Sequence, residues 1–139
     1  MSLSKISFSL SSLNNEYQNN GLQPTTLVDL VLQRIENCTT PNIWIFQAPA
    51  SDLQVRAQTL MSLSDDVRNS LPLFGIPFAL KDNIDVQGYP TTAGCPDFEF
   101  VAKESATLVK KLEEAGGIFI GKTNLDQFAC GLVGTRSPY

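Results

Sequence analysis

The chain has 139 residues, of which 42% are hydrophobic and 17% are charged, and its formal net charge is −4. It lacks the excess of positive charge that is typical of proteins binding nucleic acids or acidic membranes, so no role with nucleic acids is expected. Its apolar runs are far shorter than the roughly 20 residues that cross a bilayer, and its N-terminus lacks the layout of a signal peptide. We therefore expect a cytoplasmic protein with no membrane role.

The cysteines indicate free thiols. Cys38, Cys95 and Cys130 are odd in number and widely spaced, and the chain contains no histidine to complete a zinc site. No metal site is therefore predicted. By length the chain forms one domain, residues 1–139, with two parts of different character.

Residues 1–70 are predicted to be mainly helical. Apolar residues recur at helical spacing, as in Leu27, Leu30, Val31 and Ile35. The predicted elements are a short amphipathic helix within Met1–Gly21, a helix from Pro24 to about Asn37, a short strand or buried turn at Ile43–Phe46, a helix at Ala50–Leu63 and a polar connector at Asp65–Ser70.

Residues 71–139 are predicted to contain a strand–helix–strand unit. Its elements are a buried strand at Ile76–Leu80, a loop at Gln87–Gly94, a helix at Glu104–Ala115 closed by two glycines, a buried strand at Ile118–Ile120 and the start of a short helix at Asn124–Phe128. Strand, crossover helix and strand in this order indicate a parallel βαβ unit in an α/β fold. Lys81 and the segment Gly121–Asn124 would then lie at the same edge of the sheet.

Lys81 follows the first buried strand directly. Ligands of open α/β sheets bind at the carboxyl ends of the strands, so this lysine is a candidate catalytic base if it is drawn into a desolvated pocket. Burial favours the uncharged amine, which is the form that accepts a proton. The alternative is that Lys81 caps the strand and pairs with Asp82 or Asp85.

The segment Gly116–Thr123 matches the pattern of a phosphate-binding loop, G-x-x-x-x-G-K-[ST]. A genuine loop of this kind follows a strand and leads into a long helix. Here a predicted helix precedes the first glycine, and Ile118–Ile120 favours a buried strand. The context therefore argues against a nucleotide site, and Lys122 is expected at a strand end, either structural or near the site.

Four blocks of the second half resemble, in order, the amidase signature family of serine hydrolases. They are Pro72–Asn83, Pro90–Gly94, Ala106–Gly116 and Gly121–Asn124. The resemblance implies an α/β fold with a mixed, largely parallel sheet covered by helices, of which this chain is the N-terminal, incomplete part.

In this family the catalytic relay consists of a lysine, a bridging serine in a cis peptide and a nucleophilic serine. The resemblance assigns the lysine to Lys81 and the shaping of the active-site pocket to Asn124. It places Ala129, Cys130 and Gly131 where the chain approaches the substrate. Small residues at 129–131 would suit a small polar substrate or would simply allow close packing. The family's two serines lie in a Gly/Ser-rich segment that these residues do not contain, so the chain alone is expected to be inactive.

Within the family, the tail Leu125–Tyr139 resembles the allophanate hydrolases most. The resemblance implies a small amide substrate, no cofactor, a possible homodimer when full-length and a possible link to a urea carboxylase. Arg136 would either hold the substrate carboxylate or form a salt bridge. The alternatives are another amidase, the A subunit of glutamyl-tRNA amidotransferase, or, in a different class, a truncated protein without catalysis.

Overall fold

The computed structural model describes residues 6–139 and has helices packed against a small mixed sheet. The helices are α1 (Leu10–Asn19), α2 (Pro24–Glu36), α3 (Ala50–Met61), α4 (Asp65–Ser70) and α5 (Thr107–Glu114). The strands are β1 (Trp44–Gln47), β2 (Pro77–Lys81), β3 (Pro90–Thr91), β4 (Phe100–Val101) and β5 (Ile118–Thr123). Single turns of 3-10 helix cover Pro96–Phe98 and Gln127–Ala129.

The N-terminal helices begin where the sequence provides suitable residues. Ser9 caps α1 by accepting a hydrogen bond from the Ser12 amide at 3.3 Å. Pro24 occupies the first turn of α2, where its missing N–H is not needed. The predicted helix within the first 21 residues is confirmed over Leu10–Asn19, whereas its first five residues lie outside the described part of the chain.

The main sheet has the strand order β1-β5-β2. The β2 and β5 strands are parallel, and β1 runs antiparallel to β5, so the predicted mixed sheet and the predicted parallel βαβ unit are both confirmed. The β3 and β4 strands form a separate antiparallel pair. Within residues 6–139, the outer edges of β1 and β2 have no neighbouring strand.

The core lies between the sheet and helices α2, α3 and α5. Its buried side chains include Leu53, Ala57 and Leu60 of α3, which recur at helical spacing. Val109 of α5 and Leu80 of β2 pack into the same cluster. A second, smaller cluster joins α1 and α2 through Leu13, Leu27, Leu30 and Ile76. These two clusters hold the helices against the sheet.

Three predicted elements differ from the structure. The supposed connector at residues 65–70 is the short helix α4, which carries Asp65 and Asp66 in its first turn, where carboxylates stabilise a helix. The predicted loop before Gly94 contains β3, which is only two residues long and therefore too short to show alternation. The short helix after Asn124 is a 3-10 turn interrupted by non-helical backbone at Phe128.

Two kinds of feature are absent from residues 6–139. No helix in that range is long and apolar enough to span a membrane. The same residues contain no group of three or more histidine, cysteine or acidic side chains arranged to hold a metal ion.

Candidate active site

The carboxyl ends of β2 and β5 lie side by side. Lys81 pairs in register with Thr123, and the ladder extends by one bond because the Asp82 amide donates to the Thr123 carbonyl at 3.1 Å. A bulge between Phe78 and Ala79 shifts the register just before this point. The expected adjacency of Lys81 and the Gly121–Asn124 segment is therefore confirmed.

Lys81 is exposed in this chain, so the desolvated pocket that its predicted role requires is not formed by residues 6–139. Strand alternation places Lys81 on the face opposite Leu80 and Asp82. Leu80 and Asp82 are buried, whereas Ala79 and Lys81 are exposed. The predicted alternative pairing is also absent, because no ion pair involving Lys81 occurs in that range.

The buried charge at this edge is Lys122 instead. Its Nζ lies 3.0 Å from Asp82 Oδ1, 3.2 Å from Thr91 Oγ1 and 3.3 Å from the Pro90 carbonyl oxygen. These three acceptors use all three protons of the ammonium group. Lys122 therefore sits at a strand end, as expected, and it is a structural cation whose charge is fully engaged.

The same contacts exclude the phosphate-binding loop. Residues 118–123, which would have to wrap around a phosphate, form the central strand of the sheet. The lysine of the pattern is wholly buried against Asp82. The context argument against a nucleotide site is thus confirmed.

Asp82 also anchors the 90–94 loop, a term we use for residues Pro90 to Gly94. Its Oδ2 accepts hydrogen bonds from the Thr92 amide at 2.8 Å and from the Thr92 hydroxyl. The Ala93 amide donates to the Asp82 carbonyl at 3.1 Å. Ala93 adopts a positive φ of 53°, a conformation that costs free energy in a non-glycine residue. The Pro90–Gly94 block, which contains β3, is therefore held by hydrogen bonds to the residue that follows Lys81.

Asn124 joins this edge to β1. Its Nδ2 donates to the Asn42 carbonyl at 3.1 Å, and its Oδ1 accepts from the Leu125 amide at 2.8 Å and from the Ser137 hydroxyl. Both lone pairs of the oxygen are thus occupied within the chain. Asn124 therefore links the residues just before β1 to the chain that follows β5.

The predicted small residues Ala129, Cys130 and Gly131 lie in a strained turn. Phe128 and Ala129 have φ values of 52° and 56°, and the Phe128 amide donates to the Ala93 carbonyl at 2.8 Å. The turn therefore contacts the 90–94 loop. Cys130 is a free and exposed thiol, and the predicted free state of Cys38 and Cys95 is confirmed as well.

Gly131 faces the carboxylate of Asp126, a residue for which the sequence predicts no role. A Cβ atom built on Gly131 would overlap this carboxylate, which would have to move to admit a larger residue. The Asp126 oxygens accept the amides of Arg136 at 2.6 Å and Gly134 at 2.8 Å. These bonds, the one from Arg136 foremost, lower the pKa of Asp126 from its ordinary value of 3.8.

Arg136 closes this loop. Its Nη1 donates to the Cys130 carbonyl at 2.8 Å. No salt bridge of Arg136 occurs within residues 6–139, so the predicted ion pair is not formed there.

Two grooves of the described surface lie away from Lys81. One, of about 530 Å³, is lined by residues of α1, α2, α4 and the chain after α4, including Tyr17 and Arg68. The other, of about 420 Å³, is more apolar and includes Trp44 and Ile120. Neither groove contains Lys81, which lies at the ends of β2 and β5.

The sequence that forms this arrangement also matches a known protein family. The model of the amidase family matches residues 26–139, and the chain belongs to this family. The resemblance drawn from the four sequence blocks is therefore confirmed.

The chain is also similar to particular members of the family. The chain is 46% identical to the urea amidolyase of Saccharomyces cerevisiae over 113 residues, which cover 81% of this chain and 6% of that protein. A solved structure of Kluyveromyces lactis allophanate hydrolase is 40% identical, with a TM-score of 0.80 over 94% of this chain and 21% of that one. The A subunit of the glutamyl-tRNA(Gln) amidotransferase of Akkermansia muciniphila is 38% identical over 99% of this chain and 28% of its own length. The chain thus spans less than a third of each of these relatives.

Proposed function

We propose that this chain supplies the lysine base, Lys81, of an amidohydrolase whose complete form uses a Ser–cisSer–Lys relay. The observation that carries the proposal is the pairing of Lys81 with Thr123 at the shared carboxyl end of parallel strands. The family membership of residues 26–139 supports it. The two serines of the relay would come from residues outside this chain.

The chemistry requires the amine of Lys81 to be neutral when it acts. In the proposed relay the lysine accepts a proton from the bridging serine, which takes the proton of the nucleophile as that oxygen attacks the amide carbon. Lys81 meets water in this chain. We propose that the part of the domain that has no counterpart here covers it and provides the desolvation.

For the substrate, we propose allophanate, hydrolysed with water to ammonia and carbon dioxide. The support is similarity to the yeast urea amidolyase and to the solved allophanate hydrolase. The likeness to a urea amidolyase also supports a link to urea breakdown and to a urea carboxylase. Homodimer formation by the full-length protein is a further proposal, which its molar mass in solution would test.

The pocket residues follow the same proposal. Asn124, Ala129, Cys130 and Gly131 would line the site near the substrate, with Asn124 and Gly131 acting through the packing of the wall. Their support is the bond from Phe128 to Ala93, which joins the turn to the loop anchored beside Lys81. A cytoplasmic location is proposed from the three free thiols, which are typical of a reducing compartment.

The test is ammonia release from allophanate by the full-length protein that contains this chain. Replacing the base, Lys81→Met, is expected to lower kcat by about 10²–10⁴-fold. Lys103→Met removes another exposed lysine and is the matched control, expected to retain full activity. Equal activity of both variants would refute the role of Lys81.

A second candidate is the A subunit of a glutamyl-tRNA amidotransferase, favoured by the match over 99% of this chain. The two functions separate by substrate. Hydrolysis of glutamine but not of allophanate, again dependent on Lys81, would favour the amidotransferase.

A further inference from the structure

We propose that the buried pair of Asp82 and Lys122 is a positioning device for Lys81. The pair fixes the end of β2 and cancels the negative charge that would otherwise lie next to the base. This inference rests on the proposed function of Lys81 and adds two residues to it, neither of which touches the substrate.

Hydrogen bonds fix the position of Asp82. Every polar group of Asp82 is occupied: its amide donates to the Thr123 carbonyl, its carbonyl accepts from the Ala93 amide, and its carboxylate accepts from Lys122 and Thr92. Asp82 is therefore held from β5 and from the 90–94 loop at once. Because it is the residue directly after Lys81, its fixed position determines where β2 ends and to which side the lysine extends.

The segments that meet at the end of β2 carry four charged residues besides Lys81, namely Asp82 and Asp85 after β2, Lys122 on β5, and Asp126 after β5. Asp85 accepts a hydrogen bond from Thr91, and Asp126 binds backbone amides of its own loop. Among these carboxylates of the described residues, Asp82 alone has a cationic partner with no exposed surface.

A carboxylate close to an amine stabilises the protonated amine, which is the inactive form of a base. The ammonium of Lys122 balances the Asp82 charge and so removes this bias. The pair can thus hold the backbone through a carboxylate while leaving Lys81 free to become neutral.

The experiment compares three variants of the full-length protein. We measure the pH dependence of kcat/KM for allophanate in Lys122→Met, in Asp82→Asn and in the double variant. An unbalanced charge buried at the end of β2 is expected to shift the acidic limb of the pH profile by up to about one pH unit. The limb moves to higher pH in Lys122→Met, to lower pH in Asp82→Asn, and back to the wild-type position in the double variant.

KM is expected to change little in all three variants, because the pair is buried and does not reach the substrate. Lys110→Met is the matched control, since this lysine forms an exposed pair with Glu104 at 3.8 Å. Its profile should coincide with that of the wild type. Circular dichroism of each variant establishes that it is folded before its kinetics are compared.

A lower rate with an unmoved acidic limb in both single variants would overturn the inference, because a merely structural pair predicts that result. If one single variant does not fold, the other decides, since each leaves one unbalanced charge that displaces the limb in its own direction. A displaced limb in the folded double variant would also overturn it. Failure of Lys81→Met to lower activity would refute the proposed function instead.

Discussion

Lys122 Nζ lies 3.0 Å from Asp82 Oδ1, and neither side chain has any exposed surface. A buried pair of this kind contributes little net stability compared with an apolar pair, but the loss of one partner leaves an uncompensated charge. We therefore expect Lys122→Met or Asp82→Asn alone to lower the free energy of unfolding by about 3–5 kcal/mol. The double variant should lose clearly less than the sum of the two. Urea denaturation of the full-length protein measures this, and strictly additive losses would show that the two charges are not coupled.

Tyr89 gives a prediction for alkaline pH. Burial and the hydrogen bond of its hydroxyl to Asp52 Oδ2, at 2.7 Å, raise its pKa from 10.0 to about 12. A phenol with a raised pKa in the folded state contributes stability that is complete below the unfolded value and is lost as the pH rises through the folded value. Tyr89→Phe should therefore remove part of the loss of stability between pH 10 and about 12.

The measurement is the free energy of unfolding at several pH values across that range, for Tyr89→Phe and for the wild type. The phenylalanine keeps the ring contacts with Phe46 and Phe119. At neutral pH the variant should lose only about 0.5 kcal/mol, since the bond is partly exposed to water. Parallel pH curves of the two proteins would contradict the prediction.

The sequence predicts the helices and strands around the site better than the side-chain contacts within it. Helical periodicity is long enough in α2 and α3 to identify their buried faces, and the order strand, helix, strand predicts that Lys81 and Thr123 meet. These features depend on local patterns and on the handedness of parallel connections. They are properties of short stretches of chain.

The contacts inside the site have no such local signal. Asp82 and Lys122 are 40 residues apart, and nothing in either segment identifies the other as its partner. The sequence contains one signal that Asp82 is buried. Asp82 lies two residues after Leu80 and so points to the same face of the sheet, and a buried carboxylate needs hydrogen-bond donors. The exposure of Lys81 in these residues has a different origin. The family resemblance describes a complete domain, whereas residues 6–139 leave its face open.

Asp126 gives a prediction for acidic pH. Amide donors from Arg136 and then Gly134 hold its pKa below the ordinary value, so its contribution is complete above that value and is lost as the pH falls through the lowered one. Asp126→Asn has one acceptor oxygen in place of two and should loosen residues 126–136. The difference in unfolding free energy between wild type and variant should stay constant from neutral pH down to about 4 and shrink only below it. Shrinkage already well above that pH would contradict a lowered pKa.

Gly131 tests the packing of the same loop. Gly131→Ala places a methyl group against the Asp126 carboxylate, which must move and give up its bonds to the Gly134 and Arg136 amides. We expect a destabilisation of about 1–3 kcal/mol, typical of overpacking. The neighbouring exposed residue supplies the control, Cys130→Ala, with an expected change within about 0.5 kcal/mol. In an Asp126→Ala background the Gly131→Ala substitution should cost less, and an unchanged cost would show that the carboxylate is not what it meets.

Residues 1–139 produced alone should behave differently from the same residues in the full-length protein. The side chains of Leu132 and Val133 are 101% and 78% exposed, and the outer edges of β1 and β2 are unpaired within the described residues. Exposed apolar surface and free strand edges favour association. We expect the isolated chain to bind the dye ANS strongly and to melt over a broad temperature range. A sharp melt with no dye binding would instead mean that this part of the amidase domain folds as an independent unit.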